Sequence, residues 1–247
     1  MKIRIINPVV TRSWEQETQE AYSSLARSGV QIDTVSLDWG PASIETRRDN
    51  ALATPDILNK TIQAEREGFG AVIIDCMDDP GLFAAREVVR IPVVGPAEAS
   101  VHLAAILGHR FSMISVLDID RVTIEEMVER YGLSARLASV RTIGIPVLDL
   151  SANSEQVFQS MLETSEKAVR EDGADVLIPG CNLLASLAPR IQAHLKSLGL
   201  AAIFLNPRAV ALKLAETLVE LGLAQSQLSF APANAKDVSW PVRTAFA

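Results

Sequence analysis

The chain has 247 residues, of which 48% are hydrophobic, and a mean hydropathy of +0.20, so it can bury the core of one or two domains. Its net charge of −7 argues against a protein that binds nucleic acid, because phosphate backbones select a basic surface. No apolar run approaches the roughly 18 residues of a membrane span, and the start, MKIRIINPVV, lacks the cleavage site of a secretory leader. We therefore expect a cytoplasmic protein that associates with neither nucleic acid nor membrane.

Short apolar runs alternate with helical patterns through the first half of the chain. Strands are predicted at residues 3–7, 30–37, 71–75 and 91–95, and helices at residues 14–28, 54–68, 80–89 and 96–107. Thr54 and Pro55 fit the N-cap and the first turn of the second helix. Residues 38–48, around Gly40-Pro41, are predicted to form a loop of a length that often lines a site.

The same order of elements begins again at residue 111. Strands are predicted at residues 111–117, 137–143, 175–179 and 200–205, and helices at 121–131, at 154–171, after Cys181 up to 198, and after Pro207 up to 222. The tail from Ser229 is polar. This repeated alternation predicts an α/β fold of two pseudo-symmetric lobes, each a mainly parallel sheet flanked by helices. Because ligands bind beyond the carboxyl ends of such strands, we expect the active site in the cleft between the lobes.

The chain has two cysteines, and both directly follow an apolar strand pattern. Cys76 and Cys181 occupy equivalent places in the two halves, so facing lobes would put one thiol on each wall of the cleft. In a reducing compartment such cysteines are often buried and inert, and a disulfide is less common still. Their matched positions favour a functional pair over two inert thiols.

Two facing thiols suit a reaction that inverts a carbon centre, because a base that removes a proton from one face cannot return it to the other. A free thiol has a pKa of about 8.5, and a helix N-terminus lowers it; each cysteine here precedes a predicted helix. Nearby carboxylates oppose ionisation of Cys76. We expect Asp79 to cap the helix at Pro80 and Asp75 to face away on its strand.

Several motifs resemble those of the hydantoin racemase branch of the aspartate/glutamate racemase superfamily. They are INP near the start, GPASIE in the loop, CMDDPGLFAAREVVRIPVVGPAEAS around Cys76, FSMISVL at the start of the second half, and PGCNLLASLA around Cys181. The resemblance implies a cofactor-independent racemase in which Cys76 and Cys181 exchange the proton on a carbon next to a carbonyl. It also implies that the C-terminal helix returns to the first lobe, so we expect one lobe of residues 1–98 plus 208–247 and a second of residues 99–207.

The sequence departs from that family where pocket walls are expected. Val9 and Val10 replace a polar pair after INP, Asn182 begins the stretch that usually reads Ala-Gly-Met after the second cysteine, Ser115-Val116 replaces a threonine pair, and Asn206-Pro207-Arg208 replaces Asp-Gly. These changes leave open a substrate other than a simple hydantoin.

Further residues are candidates for binding a small-molecule substrate. Asn7, Ser115 and Asn182 are expected to hold a carbonyl or carboxylate, although capping of strand ends or turns explains them equally well. Ser43 depends on the loop motif alone. Backbone N–H groups after each cysteine are expected to stabilise an enolate oxygen, as in an oxyanion hole; they belong to Met77, Asp78, Asn182 and Leu183. The three histidines, His102, His109 and His194, lack a metal-ligand spacing, so we expect no metal.

Two other functions stay open on the sequence. A related member of the superfamily would racemise an amino acid, or isomerise maleate by covalent attack of one cysteine on the double bond. A binding protein would keep the cleft without turnover. For each function, we expect the chain to form a homo-oligomer.

Overall fold

The structure is a computed structural model that describes residues 1–231. Residues 232–247, which include the end of the predicted polar tail and part of the predicted first lobe, lie outside the described residues. Within the described part of the chain, no helix is both long and apolar enough to cross a membrane.

The first half of the chain forms a sheet of four parallel strands. The strands are β1 (Lys2–Asn7), β2 (Gln31–Ser36), β3 (Ala71–Ile74) and β4 (Val93–Val94), in the spatial order β2-β1-β3-β4. The helices between and after them are α1 (Glu15–Leu25), α2 (Arg47–Arg66), α3 (Leu82–Arg86) and α4 (Pro96–Leu107). The inner strands β1 and β3 are almost wholly buried because helices cover both of their faces.

The second half repeats this arrangement. Its strands are β5 (Phe111–Ser115), β6 (Leu137–Thr142), β7 (Val176–Pro179) and β8 (Ile203–Phe204), all parallel, in the order β6-β5-β7-β8. Its helices are α5 (Asp120–Arg130), α6 (Ser154–Arg170), α7 (Ala188–Ser197) and α8 (Pro207–Glu220). The predicted fold of two mainly parallel sheets flanked by helices is confirmed. The two sheets also have the same strand order, so the halves are similar.

Helix α2 begins earlier than the sequence suggested. Thr46 is its N-cap and accepts a hydrogen bond from the backbone N–H of Asp49, whose carboxylate in turn accepts from the Thr46 hydroxyl. Pro55 therefore lies inside the helix, where it removes one backbone donor. The predicted start at Thr54 was wrong because this reciprocal cap provides a stronger beginning than the Thr-Pro pair.

The segment after Cys76 also differs from the prediction. Helix α3 is a single short helix whose N-cap is Gly81, and Asp79 does not cap it. Asp79 adopts a left-handed conformation with φ of 46°, which turns its carboxylate toward the start of α4. There it accepts hydrogen bonds from the backbone N–H groups of Ala97 and Glu98. Asp79 is therefore a cap of α4, 18 residues further along the chain.

Two helices connect the halves of the chain. Helix α8 leaves the second sheet and packs on the first, where Ala211, Leu212 and Ala215 share a core with Ile3 and Ile5. Helix α4 lies between the sheets, since its residues contribute to apolar clusters of both. The division into residues 1–98 plus 208–247 and residues 99–207 stays a prediction.

Candidate active site

A cavity opens beyond the carboxyl ends of the central strands of both sheets. Its volume is about 70 Å³. Its lining comprises Asn7, Pro8, Val9, Trp14, Thr18, Ile44, Asp75, Cys76, Met77, Asp78, Ser115, Val116, Asp120, Val147, Gly180, Cys181, Asn182, Leu183 and Arg208.

Both cysteines line this cavity, and each is positioned by the equivalent strand of its sheet. Cys76 comes two residues after the end of β3, and Cys181 comes two residues after the end of β7. Both are free thiols and partly exposed. Gly180 precedes Cys181 because a Cβ at that position would lie 2.9 Å from the Cα of Ser115 on the neighbouring strand. The two thiols line one cavity, as their equivalent positions in the two halves of the sequence predicted.

The thiols are less acidic than the sequence suggested. Burial raises the pKa of Cys76 well above its ordinary value, and the charge of Asp78 raises it further. Burial also raises the pKa of Cys181 to about 12, against the lowering effects of the Leu183 N–H and of Arg208. The helix N-termini that were expected to lower both pKa values do not outweigh this loss of water. A short 3-10 helix follows Cys181, and α3 starts only at Leu82.

Backbone N–H groups approach each thiol in the same way. The N–H of Asp78 hydrogen-bonds Cys76, and the N–H of Leu183 hydrogen-bonds Cys181, in both cases the second residue after the cysteine. Each of these bonds favours the thiolate and partly offsets burial. The two halves of the site are thus similar in their backbone as well as in their cysteines.

A buried network centred on Asp75 forms one side of the cavity. Its carboxylate accepts hydrogen bonds from the Tyr22 hydroxyl at 2.8 Å and the Asn182 amide nitrogen at 2.6 Å, and it pairs with Arg208 at 3.0 Å. Arg208 also donates to the hydroxyl of Thr18. The expectation that Asp75 faces away was wrong, because an arginine from α8 compensates its charge in the interior.

Two further carboxylates belong to the cavity. Asp120 accepts hydrogen bonds from the Ser115 hydroxyl at 2.6 Å and from the backbone N–H of Leu117 at 3.0 Å. The Asp78 side chain has no hydrogen-bond partner among the described residues. Burial, followed by the charges of Asp120 and Asp79, raises the pKa of Asp78 to about 7.

The structure brings most of the predicted site residues together. Besides the cysteines, the cavity is lined by Asn7, Met77, Asp78, Ser115, Asn182 and Leu183. Ser43 is not among the lining residues that the structure describes, and its hydroxyl is directed at Glu45 at 3.5 Å. The histidines lie apart from the cavity, and no cluster of three or more potential metal ligands occurs within residues 1–231.

Sequence reasoning missed the polar residues that approach from elsewhere in the chain. Asp120 begins α5, Thr18 and Tyr22 lie on α1, and Arg208 lies in the first turn of α8. Only Arg208 had a signal, since the Asn206-Pro207-Arg208 stretch was noted as a departure from the family pattern.

Comparisons with known proteins agree with this fold. The family model described as Asp/Glu/Hydantoin racemase matches residues 3–215. A hydantoin racemase of Pseudomonas sp. (strain NS671) is 39% identical over 92% of this chain and 90% of its own, and one from Rhizobium meliloti is 35% identical over 93% of each. An allantoin racemase structure from Klebsiella pneumoniae superposes with a TM-score of 0.91 at 30% identity, covering 98% of this chain and 97% of its own. The chain therefore belongs to the Asp/Glu/hydantoin racemase family.

Proposed function

We propose that this protein is a cofactor-independent racemase that inverts a carbon next to a carbonyl in a hydantoin-like small molecule. Cys76 and Cys181 are the two proton-transfer groups. The observation that carries the proposal is that the two cysteines of the chain, from equivalent strands of two similar sheets, line one cavity. The printed names of the relatives, hydantoin racemase and allantoin racemase, support the same reaction.

In this mechanism one cysteine, as a thiolate, removes the proton from one face of the carbon. The other, as a thiol, delivers a proton to the opposite face, and the two have then exchanged roles. Burial raises both thiol pKa values and so keeps the waiting acid protonated. The backbone N–H groups of Asp78 and Leu183 act in the opposite direction and favour the thiolate form that serves as the base.

Between the two proton transfers, negative charge develops on the carbonyl oxygen. We propose that backbone N–H groups of Met77 and Asn182 bind this enolate oxygen. Both residues line the cavity and directly follow the two cysteines. Donors that are fixed before the reaction lower the energy of a developing charge more than mobile water does.

The charges around the cavity favour a neutral substrate. Asp120 presents a carboxylate to it, and the arginine in its lining, Arg208, is already paired with Asp75. A substrate carboxylate would meet repulsion that is not offset by a free cation. A hydantoin ring is uncharged and carries N–H donors that a carboxylate can accept, so it fits better than an amino acid or a dicarboxylate.

Deuterium uptake from D2O tests this function. The purified protein is incubated with each enantiomer of a 5-substituted hydantoin, of aspartate and glutamate, and with maleate, and the C–H signal is followed by NMR. We expect exchange and racemisation of the hydantoin only. Deuterium exchange into amino acids, or conversion of maleate to fumarate, would show that the protein catalyses another reaction of its superfamily. Ligand binding without any exchange would contradict racemase activity.

We also propose a homo-oligomer in the cytoplasm. A groove between α4 and α8 is lined by apolar residues such as Leu103, Val210 and Ile106, whose side chain is 81% exposed. Such a surface is typical of a protein interface. The two free thiols agree with a reducing compartment. Light scattering after size-exclusion chromatography measures the oligomeric state, and a monomer at micromolar concentration would contradict the first of these proposals.

A further inference from the structure

The side-chain amide of Asn182 has a fixed orientation. Its nitrogen donates to Oδ1 of Asp75 at 2.6 Å, and the same carboxylate is paired with Arg208 at 3.0 Å. A carboxylate held by a guanidinium only accepts hydrogen bonds, so it selects the nitrogen end of the amide. A flipped Asn182 would direct its oxygen at Oδ1 of Asp75, and two acceptors would then face each other. The network therefore determines which end of the amide remains available.

The available end is Oδ1, and it lacks a partner. Asn182 is 4% exposed, and its Oδ1 is a buried acceptor without a hydrogen bond in the described structure. An unpaired buried acceptor costs about 1–3 kcal/mol. Because Asn182 lines the cavity, a ligand there can remove that cost by donating a hydrogen bond.

The position of this acceptor is central to the site. Asn182 directly follows Cys181, and its amide is bound to the residue that directly precedes Cys76. Asn182 therefore belongs to the part of the lining that joins the two thiols. A group recognised there lies close to the carbon whose proton the thiols exchange.

We propose that Oδ1 of Asn182 accepts a hydrogen bond from a ring N–H of the substrate, and that Asp75 and Arg208 are positioning residues that keep this oxygen toward the cavity. The inference rests on the proposed function and adds the feature by which a cyclic amide or ureide is selected. A substrate with a methylated ring nitrogen leaves the oxygen unpaired. A site built around such a bond discriminates strongly against a partner that lacks it.

The test compares a 5-substituted hydantoin with its 1-methyl and 3-methyl derivatives, using C5–H exchange in D2O. The measured quantity is the ratio of kcat/KM for the unmethylated compound to that for each derivative. Asn182→Leu keeps the volume of the side chain and removes its acceptor, and Asn182→Ala removes both. We expect each variant to lower one of the two ratios about tenfold or more, while exchange of that methylated derivative stays near the parent level.

Two controls separate recognition from folding. Asn153→Ala makes the same chemical change at an exposed asparagine and should leave both ratios unchanged. Asp75→Asn replaces the fixed acceptor by an amide that can present either end, so the affected ratio should fall toward that of Asn182→Leu. Where Asp75→Asn does not fold, Arg208→Lys tests the same network from the other side: it keeps the positive charge that makes Asp75 an acceptor, so the affected ratio should stay near the parent value.

Unchanged ratios in both Asn182 variants would overturn the inference while leaving the racemase itself intact. Failure of the parent protein to exchange any hydantoin would instead contradict the proposed function. In that case dissociation constants are measured by calorimetry for the same compounds. Their ratios then replace the ratios of kcat/KM, so the role of Asn182 in recognition is still tested.

Discussion

The hydroxyl of Tyr131 donates a hydrogen bond to the carboxylate of Asp79 at 2.6 Å, and so joins the end of α5 to the segment that carries Cys76. Asp79 has a left-handed backbone, which a residue other than glycine adopts at a cost. The same segment is held at its other end by the bond between Asp75 and Asn182. Cys76 is therefore fixed to the second half of the chain on both sides.

We expect Tyr131→Phe to lower the free energy of unfolding by about 1–3 kcal/mol, because a buried carboxylate loses a donor. The ring contact with Phe83 stays possible in this variant. Urea denaturation followed by circular dichroism measures the change. Ser24→Ala, which removes a hydroxyl from an exposed position, should have little effect. Equal unfolding midpoints for Tyr131→Phe and the parent would contradict the coupling between the halves.

Stability should depend on pH through Asp78, whose pKa burial raises to about 7 in the folded protein. An unfolded aspartate has a pKa of about 3.9, so between these values the folded chain binds more protons than the unfolded chain. The free energy of unfolding therefore falls as pH rises from about 4 to 7. Asp79, whose pKa burial raises to about 6, contributes in the same direction.

Asp78→Asn replaces one of these two carboxyl groups by an amide that does not titrate, so only Asp79 continues to lower stability as pH rises. We expect the variant to be more stable than the parent at pH 8, by on the order of 1–3 kcal/mol, with a smaller difference at pH 5. Thermal unfolding at a series of pH values measures it. Asp149→Asn, at an exposed site, serves as the matched control. A parent protein that gains stability steadily from pH 4 to 8 would show that Asp78 is not held in a protonated state.

Single replacements of the cysteines should separate the two half-reactions. In Cys76→Ser and Cys181→Ser we expect racemisation to fall by about 100-fold or more, because a serine hydroxyl is a poor base at neutral pH. Each variant should still exchange the proton of one enantiomer only, and the two variants should retain opposite enantiomers. Exchange of both enantiomers at equal rates by either variant would rule out a two-base mechanism.

Gly180 is predicted to be intolerant of a side chain. In Gly180→Ala the new Cβ would lie 2.9 Å from the backbone Cα of Ser115, so one of the strands β5 and β7 must shift. We expect a loss of about 1–3 kcal/mol in stability and slower proton exchange, since the shift displaces Cys181. Gly70→Ala, whose Cβ would meet the flexible Val219 side chain at 3.4 Å, is the control. Similar stabilities for the two variants would contradict this account.

The local parts of the structure could be predicted from the sequence. All eight strands that occur within residues 1–231 were predicted, because apolar runs bounded by turn residues indicate buried parallel strands regardless of distant contacts. The place of both cysteines followed from those strand ends. The start of α2 was missed because two caps competed, and the reciprocal hydrogen bonds between Thr46 and Asp49 favour the earlier one.

The electrostatics of the site could not be predicted in the same way. Asp75 was assigned to the wrong face because its partner Arg208 lies 133 residues away in sequence, and no local pattern connects them. The thiol pKa values were expected to fall, whereas burial raises them. The burial of the two thiols depends on how the two halves of the chain pack against each other, and this packing cannot be predicted from either half of the sequence alone.

The return of α8 to the first sheet has a consequence for how the chain folds. The first sheet is complete only when residues beyond position 206 cover it, since Ala211, Leu212 and Ala215 share its core. During synthesis the first sheet therefore stays partly uncovered until α8 has been made. Contacts between such distant residues slow folding. The release of α8 from the ribosome would thus decide when the first sheet becomes native.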